Sequence, residues 1–146
     1  MKHYFRYSRK VKIITFSTLI LLSLLSINIL SKGVALVTIA CIVPCWIVVL
    51  ITASFSPVYY TRNNDEVLIR LVCTKKRFSL NDYYLDTVSF TSEKPHRVLG
   101  SGGLFGYFGW FQHRNLGKFL LFCTSEGNNF IKLKHKIKGN IILIEK

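Results

Sequence analysis

The chain has 146 residues, of a size for one domain, with 20 Lys and Arg against 7 Asp and Glu, a formal net charge of +13. All seven acidic residues lie at or beyond Asp65. This excess suits nucleic acid or an anionic membrane surface. A mean hydropathy of +0.33, concentrated in the first third of the chain, selects the membrane and sets nucleic acid aside.

Residues 1–12 form a basic N-terminal segment with Lys2, Arg6, Arg9, Lys10 and Lys12. From Ile13 to Leu30 the chain reads IITFSTLILLSLLSINIL, 18 residues without a charge, and from Val34 to Ala53 it reads VALVTIACIVPCWIVVLITA, 20 more. At about 1.5 Å per residue these give helices of about 27 and 30 Å, each near the thickness of a hydrocarbon core. One continuous helix would be about twice that thickness, so a break is needed, and Ser31-Lys32-Gly33 supplies it. The spacing predicts a transmembrane hairpin over 13–53, with spans at 13–30 and 34–53. A cleaved signal peptide has a shorter apolar region, about 7–15 residues, and no second span immediately after it. The positive-inside rule places the N-terminus, and residues 54–146 with the C-terminus, on the cytoplasmic side of a cell membrane.

Within the spans, Cys41 and Cys45 flank Pro44 at a spacing unsuited to a CxxC redox or zinc site, with no His or acid nearby. Thr15, Ser17, Thr18, Ser23, Ser26 and Asn28 are polar but not ionisable, which fits packing between helices and not an ion or proton path. The hairpin reads as an anchor.

Residues 54–146 alternate with period two and show no helical pattern. Strands are expected at Pro57–Thr61, at Glu66–Cys73 with Val67, Ile69, Leu71 and Cys73 on one face, and at Phe78–Leu80 and Leu85–Phe90. Asn63-Asn64-Asp65 and Lys75-Lys76-Arg77 read as turns, and Thr91–His96, with Pro95, as a loop. Phe119–Thr124 (FLLFCT) has the continuous apolar character of a buried strand, Ser125–Asn129 is a turn, and Ile141–Ile144 is a last apolar strand. In Phe130–Lys138 (FIKLKHKIK), Ile131, Leu133, His135 and Ile137 face one way and Lys132, Lys134, Lys136 and Lys138 the other. The lysine row is either the solvated face of a strand, where Lys discourages edge pairing, or a surface drawn to anionic lipid headgroups. Short strands at this spacing argue an antiparallel barrel or sandwich.

No catalytic, cofactor-binding or metal-binding residue is assigned. His3, His96, His113 and His135 show neither HxxxH nor HExxH spacing, and Cys73 and Cys123 fall at strand positions of core type. An enzyme is not expected.

Residues 100–111, GSGGLFGYFGWF, combine five glycines with five aromatic residues. A dinucleotide fingerprint needs GxGxxG opening a helix, but Phe105 holds the third glycine position, and the residues that follow are β-prone. No Walker loop is present. The pattern Arg97-x-x-Gly100-x-Gly102-x-x-x-Gly106-Tyr107-x-Gly109-x-Phe111, followed by FLLFCT, resembles the central motif of a bacterial pleckstrin-homology (PH)-like domain family. Members often carry two transmembrane helices ahead of the domain.

The resemblance implies a strongly bent antiparallel sheet forming a partly open barrel, with those seven residues as structural signatures. The family's C-terminal capping helix has no counterpart up to Lys146, so either the barrel end is closed some other way, by the hairpin or by a partner, or the domain is shorter than the family's usual one. Eukaryotic phosphoinositide-binding members carry basic residues in the first hairpin. Here that turn is Asn63-Asn64-Asp65, and inositol-phosphate recognition is not carried over.

The expected function is positioning: a membrane-anchored, non-enzymatic module that holds a cytoplasmic β-domain at the inner leaflet for a protein partner. A lipid- or anionic-ligand-binding module using the lysine face, and a membrane enzyme with an unrecognised site, stand as alternatives.

Overall fold

The computed structural model describes residues 2–31, 36–90, 94–125 and 129–146. A short strand, β1 (Lys2–Tyr4), precedes two helices, α1 (Arg9–Ser31) and α2 (Leu36–Ser54). The Ser8 hydroxyl caps α1 by accepting from the Val11 amide at 3.3 Å. Within α1 the hydroxyls of Ser17, Thr18 and Ser26 donate to carbonyls in the preceding turn, so an apolar helix carries them with their donors satisfied. Trp46 Nε1 on α2 also donates to Ser26 Oγ at 3.2 Å, tying the helices together as the polar pattern of the first span led one to expect. Among the described residues one helix, Arg9–Ile29, is long and apolar enough to cross a membrane, and the apolar stretch Ile42–Ser54 of α2 is shorter. The break expected at Ser31-Lys32-Gly33 falls mostly in residues 32–35, outside the described residues.

The first sheet runs β1-β2-β3-β4, with β2 (Pro57–Arg62), β3 (Glu66–Leu71) and β4 (Lys75–Ser79). Alternation in β3 is as read, with Val67, Ile69 and Leu71 buried. Cys73 departs from it. The strand stops at Leu71, and the Val72 and Cys73 amides turn back to the Ser56 and Ser54 carbonyls, satisfying the end of α2 and leaving Cys73 exposed. Lys75-Lys76-Arg77 opens β4 where a turn was expected, because these residues pair with Arg70, Ile69 and Leu68.

The second sheet contains β5 (Tyr83–Ser89), β6 (His96–Gly103), β7 (Gly106–His113), β8 (Gly117–Cys123), β9 (Asn129–His135) and β10 (Ile141–Glu145), in the order β5-β9-β10-β8-β7-β6. Here β10 lies between β9, antiparallel to it, and β8, parallel to it. This corrects the expectation of an antiparallel barrel: two sheets stack, neither closes on itself, and the second is mixed. The physical reason lies in FLLFC and IILI, which have no polar face and so take the middle of a sheet covered on both sides.

On one side, Phe122, Ile142, Ile144, Ile131 and Leu133 pack against Tyr60, Val67, Ile69 and Leu71 of the first sheet. On the other, Phe119, Leu121, Cys123, Ile141 and Leu143 form a second cluster with Phe90, Phe111 and Phe130. Each such side chain contributes about 1.5–3 kcal/mol on burial. No helix follows α2 among the described residues.

The lysine-bearing strand is shorter than its pattern. β9 ends at His135, whose Nδ1 accepts from the Ile137 and Lys138 amides, so the chain turns there. Ile137 leaves the apolar face and is 91% exposed. Parts of the Thr91–His96 loop and the Ser125–Asn129 turn, residues 91–93 and 126–128, lie outside the described residues.

Candidate functional site

The segment ahead of α1 is woven into the β-domain that follows α2. β1 pairs antiparallel with β2, Lys2 opposite Thr61 and Tyr4 opposite Tyr59. The Phe5 amide donates to the Val58 carbonyl and the Ser8 amide to the Thr124 carbonyl, while Thr124 Oγ1 donates to the Arg6 carbonyl. Phe5 belongs to the core between the sheets. Glu145 fixes the far side of this junction: its carboxylate accepts from the Thr124 and Ser125 amides and the Ser125 hydroxyl, and shares the Thr124 hydroxyl proton with the Arg6 carbonyl.

The glycine-rich stretch folds as the β6–β7 hairpin and seats on the ends of the helices. Gly103 pairs with Gly106, leaving Leu104 and Phe105 as a two-residue loop. Phe105 adopts a left-handed φ of 56°, which an aromatic residue holds only where neighbours fix it. They do so from two directions. The Phe105 amide donates to Thr15 Oγ1 of α1 at 3.0 Å, and its carbonyl accepts from Ser56 Oγ, just past α2, at 2.7 Å. The Tyr7 hydroxyl, 2.6 Å from Ser56 Oγ, brings the N-terminal segment into the same relay.

The glycines answer to crowding and not to phosphate. Gly100 and Gly109 lie directly opposite each other; a Cβ on Gly100 would stand 2.2 Å from the Phe108 carbonyl oxygen, and one on Gly109 would stand 2.3 Å from that of Leu99. A Cβ on Gly106 would stand 3.0 Å from the Cys123 carbonyl oxygen, and one on Gly103 3.1 Å from Ile14 Cδ1 of α1. Phe111 fills the second core and Tyr107 packs against it.

A cleft of about 510 Å³ opens where the hairpin meets the helices, lined by Ile14, Ile51, Thr52 and Phe55 from the helix side and by Arg97, Gly100, Ser101, Gly102, Leu104 and Phe108 from the hairpin. A bulge between Arg97 and Leu99 sets Arg97 opposite Phe111, on the face that Gly100 and Gly102 share. The guanidinium lies over Gly102, with Nη1 3.0 Å and Cδ 3.4 Å from where a Cβ would be. The motif residues Arg97, Gly100, Gly102, Gly106, Tyr107, Gly109 and Phe111 are thus brought together in one hairpin.

The lysine row is more dispersed. Lys132 Nζ stands 4.0 Å from Asp86, Lys136 lies over the Tyr84 ring, and Lys134 is exposed. Lys136 and Lys138 occupy the β9–β10 turn, at the end of the sheet opposite Thr124 and the start of α1. At about 3.4 Å per residue that is roughly 20 Å away. The histidines serve turns and stacking: His113 Nδ1 accepts from the Asn115 amide, and His3 stacks on Tyr60. Burial raises the Cys123 thiol pKa, with the Glu145 charge adding to it. Among the described residues no group of three or more His, Cys, Asp or Glu side chains gathers as a metal set. Sequence reading missed Tyr7, Thr15, Ser56, Thr124 and Glu145, because only the fold brings together the residues they bond.

The stacked sheets, the N-terminal apolar helix and the glycine hairpin define a PH-like β-domain preceded by a helical segment. The family model described as Bacterial PH domain matches residues 58–144, and the chain belongs to that family. The match begins inside β2 and ends in β10, so β1, α1 and α2 precede it. No curated protein and no solved structure matches the chain.

Proposed function

We propose that this chain is a membrane-anchored, non-enzymatic PH module in which α1 and α2 form a two-span hairpin, both termini are cytoplasmic, and the β-domain is presented at the inner leaflet to a protein partner. The observation that carries this reading is one of parity. β1, before α1, pairs with β2, after α2, so both lie on the same side of any membrane that α1 crosses. A chain that leaves through α1 must return before Pro57, and α2 is the helix available for that return. The same pairing opposes α1 as a removable signal sequence, since cleavage after it would take away an edge strand and Phe5 from the core.

The mechanism is positioning. The Thr15–Phe105 and Ser56–Phe105 bonds leave no flexible linker between anchor and domain, so any partner meets the hairpin and sheet edges at a fixed height above the lipid. Edge strands and exposed loops then offer main-chain pairing at high local concentration. Crosslinking and affinity purification of the full chain from native membranes tests this. Recovery of a protein that depends on the β-domain surface is expected. Release of the chain by alkaline carbonate extraction would overturn the anchor.

A further inference from the structure

We infer that the cleft between the β6–β7 hairpin and the helix ends is a headgroup site for one anionic phospholipid, with Arg97 holding the phosphate. This deepens the reading above and rests on α1 crossing the membrane. Three features carry the assignment. First, the cleft's volume, about 510 Å³, falls in the range of small-molecule sites, about 300–1,000 Å³.

Second, its charge is of one sign. Arg97 is its only ionisable lining residue, no carboxylate lines it, and among the described residues no carboxylate pairs with Arg97. The guanidinium lies over Gly102, with Nη1 3.0 Å from where a Cβ would stand. A planar fork in an amphipathic cleft matches two oxygens of a phosphate better than an ammonium does.

Third, the helix side of the cleft is mostly apolar, Thr52 being its one polar residue. Ile14 stands at the start of the uncharged run of α1, and Ile51 and Phe55 stand at the end of α2, with Leu104 facing them from the hairpin. With α1 crossing the membrane, these residues would stand beside the first acyl carbons of a lipid whose phosphate reaches Arg97. A free phosphate would leave this apolar wall uncovered, which is why the occupant is a lipid. The four lysines 132–138 play no part in the cleft.

The test is native mass spectrometry of the full chain ejected from nanodiscs of equal phosphatidylglycerol and phosphatidylcholine, comparing the wild type with Arg97→Gln, Arg97→Lys and Gly102→Val. The wild type should retain phosphatidylglycerol preferentially, and Arg97→Gln should lower that preference roughly tenfold, the scale of one charge-assisted hydrogen bond. Arg97→Lys should keep part of it, and Gly102→Val, which fills the space beneath the guanidinium, should lose it. Arg97 is exposed, so its variants are expected to melt as the wild type does. An unchanged preference in Arg97→Gln overturns the site, and loss instead in Lys132→Glu/Lys134→Glu/Lys136→Glu moves the anionic contact to the lysine face. Displacement of the lipid by equimolar soluble glycerol 1-phosphate also overturns it, in favour of a free anion. Failure of the wild type to enter the nanodisc is the separate result that removes the anchor.

Discussion

His3 stacks on Tyr60, ring centroids 5.0 Å apart and the planes nearly parallel, although both helices lie between the two residues in the chain. The contact ties the fate of the N-terminal segment to the β-domain. Cysteines placed at Lys2 and Thr61, directly opposite across β1 and β2, should crosslink under mild oxidation in intact membranes, in a background with the native cysteines replaced by alanine. Labelling of the two positions from opposite membrane faces would break the parity on which the hairpin reading stands.

Gly100→Ala and Gly109→Ala should each destabilise the domain by about 3 kcal/mol or more, because the added methyl meets backbone and not a yielding side chain. Gly117→Ala is the control. Its φ is 69° with nothing near the added carbon, so only the left-handed conformation is penalised, about 1–2 kcal/mol. Thermal unfolding in detergent separates the two classes, and equal losses at all three positions would refute the close approach of β6 and β7.

Thr15→Val removes the acceptor of the Phe105 amide, and Ser56→Ala the donor to its carbonyl. Each should cost about 1–3 kcal/mol. Since both hold one strained residue, the double variant should cost less than the sum of the singles. Additive losses in a double-mutant cycle would mean the two grips are independent.

Glu145→Gln puts an amide where the Thr124 and Ser125 amides and the Ser125 hydroxyl converge. One oxygen remains to accept and the NH2 faces donors, so stability should drop by about 1–3 kcal/mol, visible as a lowered melting temperature. Glu145→Asp, which keeps the charge but shortens the reach, should lie between the two. A melting temperature unmoved by Glu145→Gln would show that the carboxylate does not hold this junction.

Burial raises the pKa of both the Cys123 thiol and the Tyr60 phenol, so the folded chain keeps these protons at pH values where the unfolded chain releases them. Their contribution is fully present below the unfolded pKa values, about 8.5 for Cys and about 10 for Tyr, and is lost as pH rises above them toward the raised folded values. Stability should therefore fall from about pH 8.5 upward, with a further decline above about pH 10. In Cys123→Ala the first decline should vanish, whatever the methyl-sized cavity costs at neutral pH. A variant with the same alkaline slope between those values would assign the loss to other groups.

Much of the architecture was legible because burial on two faces writes itself into composition. Phe119–Cys123 and Ile141–Ile144 have no polar side, and they are the strands packed above and below. The hairpin was readable from its glycines, and Arg97, Gly100 and Gly102 from their spacing. The order of strands was not, since pairing of β10 with both β8 and β9 leaves no local mark in any of the three. β1 escaped for a different reason: three exposed residues carry no periodicity, and they are held by an edge that forms only after both helices. The grip of Thr15 on Phe105, across 90 residues, likewise exists only in the assembled fold. The lysine row shows the opposite error, a period-two pattern that continues past the strand because His135 turns the chain before the pattern ends.

The place of β10 between β8 and β9 also dictates an order of events. As the chain leaves the ribosome, α1 and α2 emerge first, and β8 and β9 follow with no native bond to each other. Their facing edges, carrying Phe119, Leu121, Phe130 and Leu133, stay open until Ile141–Glu145 slots between them. During that interval the nascent domain offers two unpaired apolar strands to anything nearby. The two halves of this sheet are therefore joined through Ile141–Glu145, and a segment of five residues acts as the latch.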